Sequence, residues 1–432
     1  MTRVAPVERT KARIRELIDG TLPVDDPRGE LVKLAVQRIV EEALEAATRD
    51  VLGRGHYERR SEGDQGYRNG YREGRLKTSE GEVRFAVPQL READATDVAA
   101  LRDRVRGRTE RLERLALEMY ARGCSVRDIE EVFRDAEGKC LLSRTAVSEV
   151  TEALWAEYEE FATRDLSDTR PAYLFLDGIA ERLRPGMRRE AILCAWAITF
   201  EGKKTLLYLA PGTKETTESC KEMLQDLKRR GMADPVLVAT DGAAGLVRAA
   251  EEVFPRSLRQ RCLAHKLRNI GLKLPDEAHR EVLEAARAAY QAPSKAMAKA
   301  LREDLVERYG KLYPSAVACF EEDFEACVAH LRCPPTHRKA IRTTNMLERL
   351  FLEERRRVKA AGHLFGERPV LKLMYGALIR VTEKWRGIRM HELERRQLER
   401  LQEQLDDEHR KEVKPVVETR STPNRIYSKN RT

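Results

Sequence analysis

The feature that most constrains the fold is a change of hydrophobic period near residue 170. Strand-length apolar segments and helix-like segments alternate from there in a fixed order. They are AYLFLDGI, EAILCAWAITF, KTLLYLAP, the helix-like ETTESCKEMLQDLKRRG, PVLVATDG and the helix-like GLVRAAEEVF. Short apolar runs that alternate with amphipathic stretches favour a mixed sheet covered by helices. Residues 170–275 are therefore predicted to form the first part of a mixed α/β domain.

A long helical stretch interrupts this pattern. Residues 276–335 have helix-like periodicity throughout, and we interpret them as a helical insertion. The α/β domain is expected to resume over 336–382, where another helix begins near Thr344. Residues 383–432 are predicted to form a charged helix and a tail whose last ~15 residues are disordered.

Three smaller modules are predicted before the α/β domain, which makes the chain a multidomain α+β protein. Residues 1–52 have helical periodicity, and residues 53–92 become abruptly rich in Gly, Tyr and Arg. Turn signals at Asn69-Gly70 and Glu80-Gly81, with alternating apolar residues before Pro88, predict a small β-ribbon over 53–92. Residues 108–165 contain three short helices separated by turns.

The three-helix segment 108–165 is typical of a helix-turn-helix. Ser125 and Ser143 open its second and third helices as caps. If the third helix enters a DNA groove, Ser143, Arg144 and Thr145 are the residues that would contact DNA. A trihelical spacer without DNA contacts has the same pattern, so both interpretations stay open at this point.

Charge and cysteine content restrict the classes of protein to which this chain can belong. The chain carries 81 Lys and Arg against 72 Asp and Glu, a formal charge of +9, with a pI near 9.1. This balance favours a polyanionic partner. The eight cysteines are too sparse for a disulfide scaffold, and the first twenty residues lack the apolar core of a signal peptide. The longest apolar run is too short for a membrane span. We therefore expect a reduced, cytoplasmic protein without a membrane partner.

Three acids are candidates for chemistry. Asp177 and Asp241 each follow an apolar strand and precede a glycine. Two strand-terminal carboxylates in one sheet suit hard cations such as Mg²⁺ or Mn²⁺, although two ordinary Asp-Gly turns would look the same. Glu348 lies just inside a helix that Thr344 can cap, so it could face the other two acids.

Two basic tracts flank these acids and predict contacts with phosphates. Six Lys or Arg and no acid lie between Arg256 and Lys273, and eight Lys or Arg lie between Arg338 and Lys359 against three Glu. The candidate DNA-binding residues in the tracts are Arg261, Lys266, Arg268, Arg342, Arg349, Arg355, Arg356 and Arg357. Glu353 and Glu354 are expected to pair with neighbouring arginines on a solvated face.

Cys262 and His265 have C-x-x-H spacing, and Cys327, His330 and Cys333 follow downstream. These five residues could be read as a zinc site. The downstream trio lies in an amphipathic helix, where cysteine commonly packs as a small hydrophobe, so zinc is not expected.

Four blocks together resemble one family. FLDGI around Asp177, ATDGAAGL around Asp241, QRCLAHKLRN around Cys262, and RTTNMLERLFLEERRR around Glu348 resemble the Mutator-like transposases of bacterial insertion sequences. The segments YRNGYREGRLKTSEGEVRFAVPQLR and MYARGCSVRDIEEVF resemble the family's N-terminal modules. One departure is Phe351-Leu352, where a polar Asn is expected near the start of the pair.

The resemblance implies a ribonuclease H-like catalytic domain with a helical insertion before its last acid. It carries a DDE triad over to Asp177, Asp241 and Glu348, and it places Cys262 and His265 in a structural C-x-x-H signature. The implied activity is strand cleavage and strand transfer, with two Mg²⁺ or Mn²⁺ ions held about 3.5 to 4 Å apart. The implied partners are the terminal inverted repeats of the element and target DNA in the bacterial nucleoid.

Two other functions compete with transposition. A nuclease on the same fold would use the same metals without joining ends, and a relic of a transposase would bind DNA without cutting it. Pairing two DNA ends needs two active sites, so we expect a homodimer or a larger assembly on DNA.

Overall fold

A computed structural model describes residues 4–59, 61, 66–135, 138–181, 190–212, 216–344, 352, 356, 367–382 and 387–413. The chain divides into two compact units, with a boundary between Glu157 and Tyr158. No helix among the described residues is long and apolar enough to cross a membrane. The expected disorder of the last ~15 residues concerns positions outside the described ranges.

The first unit begins with two helices and a three-stranded sheet. The elements are α1 (Pro6–Ile18), α2 (Pro27–Leu52), β1 (Tyr67–Thr78), β2 (Gly81–Arg91), α3 (Thr96–Arg104) and β3 (Gly107–Arg108). β1 and β2 form the expected antiparallel ribbon, and β3 pairs in parallel with the other side of β1. Glu80-Gly81 does turn the chain between β1 and β2. Asn69-Gly70 instead lies within β1, at an irregularity of the register.

One hydrophobic core joins the N-terminal helices to the ribbon. Val40 and Leu44 of α2 pack against Phe85 and Val87 of β2. Glu41 is buried beside them and accepts a hydrogen bond from the Ala86 amide at 3.0 Å. Residues 1–52 and 53–92, which the sequence suggests as separate modules, therefore share a core.

Three helices complete the first unit in sequence: α4 (Glu110–Ala121), α5 (Val126–Val132) and α6 (Arg144–Thr163), the last of which continues past the unit boundary. A capping box opens α5, in which the Ser125 hydroxyl and the Asp128 carboxylate each accept a backbone amide hydrogen bond. The predicted three helices are confirmed. Their role in DNA binding stays a prediction.

The second unit is built on a five-stranded mixed sheet. Its elements are β4 (Pro171–Glu181), β5 (Glu190–Thr199), β6 (Lys204–Gly212), α7 (Thr217–Arg229), β7 (Leu237–Thr240), α8 (Ala244–Val253) and β8 (Leu258–Arg261). The strand order is β6-β5-β4-β7-β8, in which β4, β5 and β6 are antiparallel and β7 and β8 run parallel to β4. The sequence analysis did not anticipate β8, because its LRQR sequence lacks an apolar pattern.

Helices α7 and α8 cover one face of this sheet. Met223 and Leu224 of α7 and Leu246 of α8 pack against Leu174 and Leu176 of β4 in a fully buried cluster. Burial of side chains of this size contributes roughly 1.5–3 kcal/mol each relative to leaving them exposed. Central strand β4 is thereby held in place by apolar contacts.

A helical segment follows β8 and includes the predicted insertion of residues 276–335. It contains α9 (Leu263–Gly271), α10 (Asp276–Tyr290), α11 (Lys295–Tyr309), α12 (Pro314–Glu321), α13 (Phe324–Cys327) and α14 (Arg338–Ile341). The helix Glu367–Thr382 and the charged helix Glu392–Val413 come later in the chain. Leu263 and Ile270 of α9 belong to the core of the insertion, so the helical subdomain begins before residue 276.

Candidate active site

In the larger sheet, the parallel strands β4, β7 and β8 stop pairing with one another at the same height in the sheet. Their last paired residues are, in sheet order, Leu176, Thr240 and Arg261. Asp177, Asp241 and Cys262 are therefore the next residues on adjacent strands, and neighbouring strands lie about 4.8 Å apart. The β4–β7 register thus brings together the two aspartates that sequence spacing could only suggest.

Asp177 lies within β4, which continues to Glu181 in its pairing with β5. The residue is 6% exposed, and its Oδ1 accepts a hydrogen bond from the Gly178 amide at 2.9 Å. Its cross-strand neighbour is Cys194, whose pKa is raised by burial and by the charge of Asp177. A carboxylate at this position supplies oxygen ligands of the kind that hard cations prefer.

Asp241 lies in the short loop between β7 and α8. Its Oδ1 accepts a hydrogen bond from the Ala243 amide at 2.9 Å, which is the geometry of an Asx turn. Gly242 between them has φ +90°, in the left-handed region that favours glycine. Among the described residues, the second carboxylate oxygen of Asp241 has no hydrogen-bond partner. The turn therefore holds the carboxylate in place and leaves Oδ2 available to a ligand.

Arg261 places its guanidinium group directly against Gly242. A Cβ atom added at Gly242 would coincide with the position of the Arg261 Nη1 atom. Arg261 is 9% exposed, and its Nε is buried without a hydrogen-bond partner. It forms no ion pair with any residue in the described part of the chain. A buried positive charge beside Asp241 is thus available to an anionic ligand.

Cys262 connects the end of β8 to the segment before Glu348. Its amide donates to the Thr240 carbonyl at 2.8 Å, and its Sγ accepts hydrogen bonds from the Thr344 amide and hydroxyl, each at 3.3 Å. Burial opposes ionisation of this thiol, but hydrogen bonds from His265 and Thr344 outweigh burial and lower its pKa. The C-x-x-H pair therefore helps to hold Thr344 at the end of the sheet.

The amino-acid sequence matches a known family over most of its length. The matching family model is that of the Mutator family of transposases, over residues 15–387. This chain belongs to that family.

Individual relatives of the transposase are also transposases of bacterial insertion sequences. The chain is 30% identical over 352 residues to the transposase for insertion sequence element ISRM5 of Rhizobium meliloti (strain 1021), covering 81% of this chain and 87% of that protein. It is 31% identical over 365 residues to the transposase for IS406 of Burkholderia multivorans, covering 83% and 92%. The transposase for IS6120 of Mycolicibacterium smegmatis is 31% identical over 271 residues, covering 62% and 84%.

The third predicted acid of the transposase, Glu348, lies outside the described residues. Arg349, Arg355 and Arg357 lie outside them as well, whereas Arg356 is described and exposed. Thr344, the last described residue before Glu348, is fully buried against Cys262. The predicted cap of a helix at Thr344 also falls on residues that are not described.

The other predicted DNA contacts differ in accessibility. Arg268 is exposed on α9, and Arg342 is half-buried, with a pKa lowered by burial. Lys266 is 1% exposed with its Nζ 3.4 Å from Glu322, so it is placed to hold α9 against the end of α12 and is too buried to reach a phosphate. Arg268 and Arg342 therefore remain candidates, whereas Lys266 does not.

At the predicted helix-turn-helix, both candidate residues are on the surface. Arg144 and Thr145 begin α6 and are exposed. The Arg144 Nε lies 2.8 Å from a Glu130 carboxylate oxygen on α5, which orients the guanidinium group at the start of the helix. Both side chains can reach a ligand.

Cys327, His330 and Cys333, which were weighed as part of a zinc site, are all buried. Among the described residues, no group of three or more His, Cys, Asp or Glu is arranged to hold a metal ion. The His330 amide donates to Gln260 Oε1 at 2.8 Å, and Gln260 Nε2 donates to the Cys327 carbonyl at 3.1 Å. Cys333 is buried, and burial raises the pKa of its thiol to about 12.

Sequence reasoning missed the contacts of Cys194 and Thr344 with the site. Cys194 is placed beside Asp177 by strand register, and Thr344 is joined to Cys262 across 82 residues of sequence. Neither contact has a local sequence signal. The Asp-Gly spacing, in contrast, was a signal for Gly242, because a glycine after a strand often adopts positive φ.

Proposed function

We propose that this transposase cleaves and joins DNA strands at the ends of its own insertion sequence, using Asp177, Asp241 and Glu348. The observation that carries the proposal is the β4–β7 register, which places Asp177 within β4 beside Asp241 at the end of β7. Packing of the sheet does not require acids at this point, and two neighbouring carboxylates supply the oxygen ligands that hard cations prefer.

We further propose that the catalytic domain is ribonuclease H-like. Three observations support this assignment: an antiparallel three-stranded meander, two further strands parallel to its first strand, and helices α7 and α8 on one face. A helical insertion separates β8 from the segment of the third acid. This is the arrangement that the resemblance to Mutator-like transposases implies.

The donor set fits Mg²⁺ or Mn²⁺, because both cations prefer carboxylate oxygens. Asp177, Asp241 and Glu348 are the residues that would hold two ions. When bound, the ions would supply activation of the attacking water or 3′-hydroxyl and would neutralise charge at the leaving oxygen. Arg261 is placed to bind a nonbridging oxygen of the scissile phosphate, and Gly242 leaves the space that its guanidinium group occupies.

Chain length is compatible with a role for Glu348. Thr344 is anchored to Cys262 at the end of β8, and the Leu263 amide donates to the Arg342 carbonyl at 3.0 Å. The four Cα–Cα steps from Thr344 to Glu348 can span at most about 14 Å when extended. This length is compatible with the proposed role of Glu348 beside Asp177 and Asp241.

DNA is the proposed partner of the basic residues in the two basic tracts. Arg268, Arg342 and Arg356 are described and at least partly exposed, and Arg349, Arg355 and Arg357 belong to the same tract of sequence. Such residues position the sugar-phosphate backbone without reading sequence. Arg144 and Thr145 at the start of α6 are proposed to contact the terminal repeats.

We propose a homodimer or larger assembly on DNA, because two paired ends need two active sites. Static light scattering of the protein on paired-end DNA would measure its mass. Two or more chains per pair of ends are expected, and one chain per pair would refute the proposal.

The test of the reaction uses purified protein, labelled DNA with the ends of its own element, and Mg²⁺ or Mn²⁺. The wild type is expected to yield both cleaved and joined products. Asp177→Asn and Asp241→Asn should bind the same DNA but cleave it more than about 100-fold more slowly. Glu348→Gln tests the third acid in the same way. Asp168→Asn, an exposed aspartate of the same unit, is the matched control and should retain activity.

Each other outcome excludes a specific claim. An Asp241→Asn protein that cuts at the normal rate would show that the triad is wrong. Cleavage without joining by the wild type would indicate a nuclease. Tight binding with no cleavage by the wild type would indicate a DNA-binding relic.

A further inference from the structure

A cleft in the first unit lies along an open edge of β1. β1 is the central strand of its sheet, but β3 pairs with it only at Leu76 and Lys77. Among the described residues, the rest of this edge has no strand partner. A cavity of about 560 Å³ opens here, lined by β1, α3 and the β3 segment.

The floor of the cleft is apolar and depends on Gly74. A Cβ atom added at Gly74 would lie 2.9 Å from Val87 Cγ2 and closer still to the Phe85 ring. The absence of a side chain therefore lets these two residues pack against the β1 backbone. Phe85 and Val87 are only 2% and 3% exposed. The aromatic ring is consequently covered and offers no platform for stacking.

The walls of the cleft are strongly basic. They carry Arg72, Arg75, Lys77, Arg102, Arg106 and Arg108. Glu73 is the one acid among the described lining residues, and it lies 2.8 Å from the Arg75 guanidinium group. The lining therefore has a formal charge of +5 from six cations and one acid.

Half of these cations form no ion pair within the described part of the chain. Arg102 and Arg108 lie 2.6 Å and 2.9 Å from acids outside the cleft. Arg72, Lys77 and Arg106 form no ion pair with any residue that the structure describes. Arg72 and Arg106 are exposed, and Lys77 is half-exposed. Three unpaired cations on one cleft do not stabilise the fold by pairing, and they raise its affinity for a polyanion.

The dimensions and chemistry of the cleft favour a duplex backbone. The five residue-to-residue steps of extended strand from Arg72 to Lys77 span about 17 Å. One strand of B-DNA presents a phosphate every 3.4 Å or so along the axis, so this length matches about five phosphates. Single-stranded DNA is held chiefly by stacking on accessible aromatic rings, and Phe85 is covered.

We propose that this cleft binds the sugar-phosphate backbone of duplex DNA without base recognition. The inference rests on the proposed function, in that it takes DNA as the substrate. It adds a contact surface on the β-ribbon, separate from the start of α6 and from the carboxylates. Its role is to fix the protein on the DNA, since phosphate contacts supply affinity and register but no sequence information.

The test compares three triple variants by fluorescence anisotropy with a labelled duplex over a range of salt concentrations. The first is Arg72→Gln/Lys77→Gln/Arg106→Gln. The second exchanges the cations but keeps their charge, as Arg72→Lys/Lys77→Arg/Arg106→Lys. The matched control, Arg9→Gln/Arg15→Gln/Arg28→Gln, removes three charges from exposed positions of the same unit outside the cleft.

The first variant is expected to lower the slope of log affinity against log salt by about 2.7, which is three contacts at 0.9 each. Its affinity at about 0.1 M salt should fall more than about tenfold. The loss should be equal for the element end and for a shuffled duplex. The charge-keeping variant and the control should retain most of the wild-type slope. Unchanged thermal unfolding would show that the variants are folded.

Several results would overturn the inference. These are an equal slope change in the control, a loss confined to the element end, or a stronger loss for single-stranded than for duplex DNA. Failure of the cleft and failure of the proposed function are distinguishable. If the first variant binds like the wild type while the wild type still cleaves DNA, only the cleft assignment is wrong. If the wild type neither binds nor cleaves DNA, both are wrong.

Discussion

Substitution of Gly242 by alanine tests whether the position of Arg261 matters for cleavage. Gly242 has φ +90°, and an alanine Cβ would coincide with the Arg261 Nη1 atom. The left-handed backbone costs an alanine about 1–2 kcal/mol of stability. The clashing atoms are the far end of the flexible Arg261 side chain, so the guanidinium group can move aside at a small further cost. The guanidinium group would have to move away from Asp241, so Gly242→Ala perturbs Arg261 without removing any functional group.

The matched control is Gly20→Ala. Gly20 has φ +70°, but no atom lies within 4 Å of a Cβ atom added there. The control therefore carries the backbone cost alone. Thermal unfolding should show a larger destabilisation for Gly242→Ala than for Gly20→Ala, because only the former displaces a buried side chain.

Cleavage is measured in a single turnover of labelled element-end DNA with Mg²⁺, at a temperature where both variants are folded. Loss of one preorganised charge at the reacting phosphate costs about 10²–10³ in rate. Gly242→Ala is expected to show a loss of that size, and Gly20→Ala is expected to cleave normally. Arg261→Gln should reproduce the loss without backbone strain.

A folded Gly242→Ala protein that cleaves as fast as Gly20→Ala would refute the reasoning. The same holds if Arg261→Gln cleaves normally. Reduced cleavage together with reduced DNA affinity in proportion would place Arg261 in ground-state binding, not in transition-state stabilisation.

Two further predictions concern the buried hydrogen bonds between β8 and the insertion, and both are read from urea unfolding. Gln260→Leu leaves the Cys327 carbonyl and the His330 amide unpaired, so it should lower the free energy of unfolding by about 2–3 kcal/mol. An unchanged urea midpoint of unfolding would contradict this prediction. Burial, with the charges of Arg342 and Arg338, lowers the pKa of His330 to about 4. The contribution of neutral His330 to the free energy of unfolding is therefore complete above the pKa of the unfolded state, near 6.5. This contribution is lost as the pH falls from about 6.5 to about 4. The difference in free energy of unfolding between wild type and His330→Asn should accordingly shrink by roughly 3 kcal/mol from pH 7 to pH 4, and a constant difference would show that His330 is not the titrating group.

Local sequence was sufficient for most of the secondary structure. Three hairpin-linked strands, helix α7, strand β7 and helix α8 follow the predicted order, because hydrophobic period and turn residues are local properties. Strand β8 was missed, since Leu258 is followed by the polar residues Arg259, Gln260 and Arg261. It is a strand because β7 offers it an edge with which to pair, and the helical insertion covers Gln260.

The boundaries between domains were harder to predict from the sequence. Periodicity separates residues 1–52 from 53–92, yet α2 and β2 bury their apolar faces against each other. The exposure of Lys266 was likewise not predictable from the sequence. Lys266 belongs to a basic tract of the sequence, whereas packing of α9 against the other helices of the insertion buries its side chain. A charge count cannot distinguish an exposed cation from a buried one, because burial depends on the neighbouring elements.

The amino-acid sequence by itself determined the family, the order of the elements and the identity of the two aspartates that follow apolar strands. The tertiary structure decided that Asp177 and Asp241 are neighbours, that Arg261 lies against Gly242, and that Cys262 holds Thr344. These contacts join residues far apart in the chain. Strand register and packing are set by many weak interactions summed over the whole domain, so no local pattern specifies them.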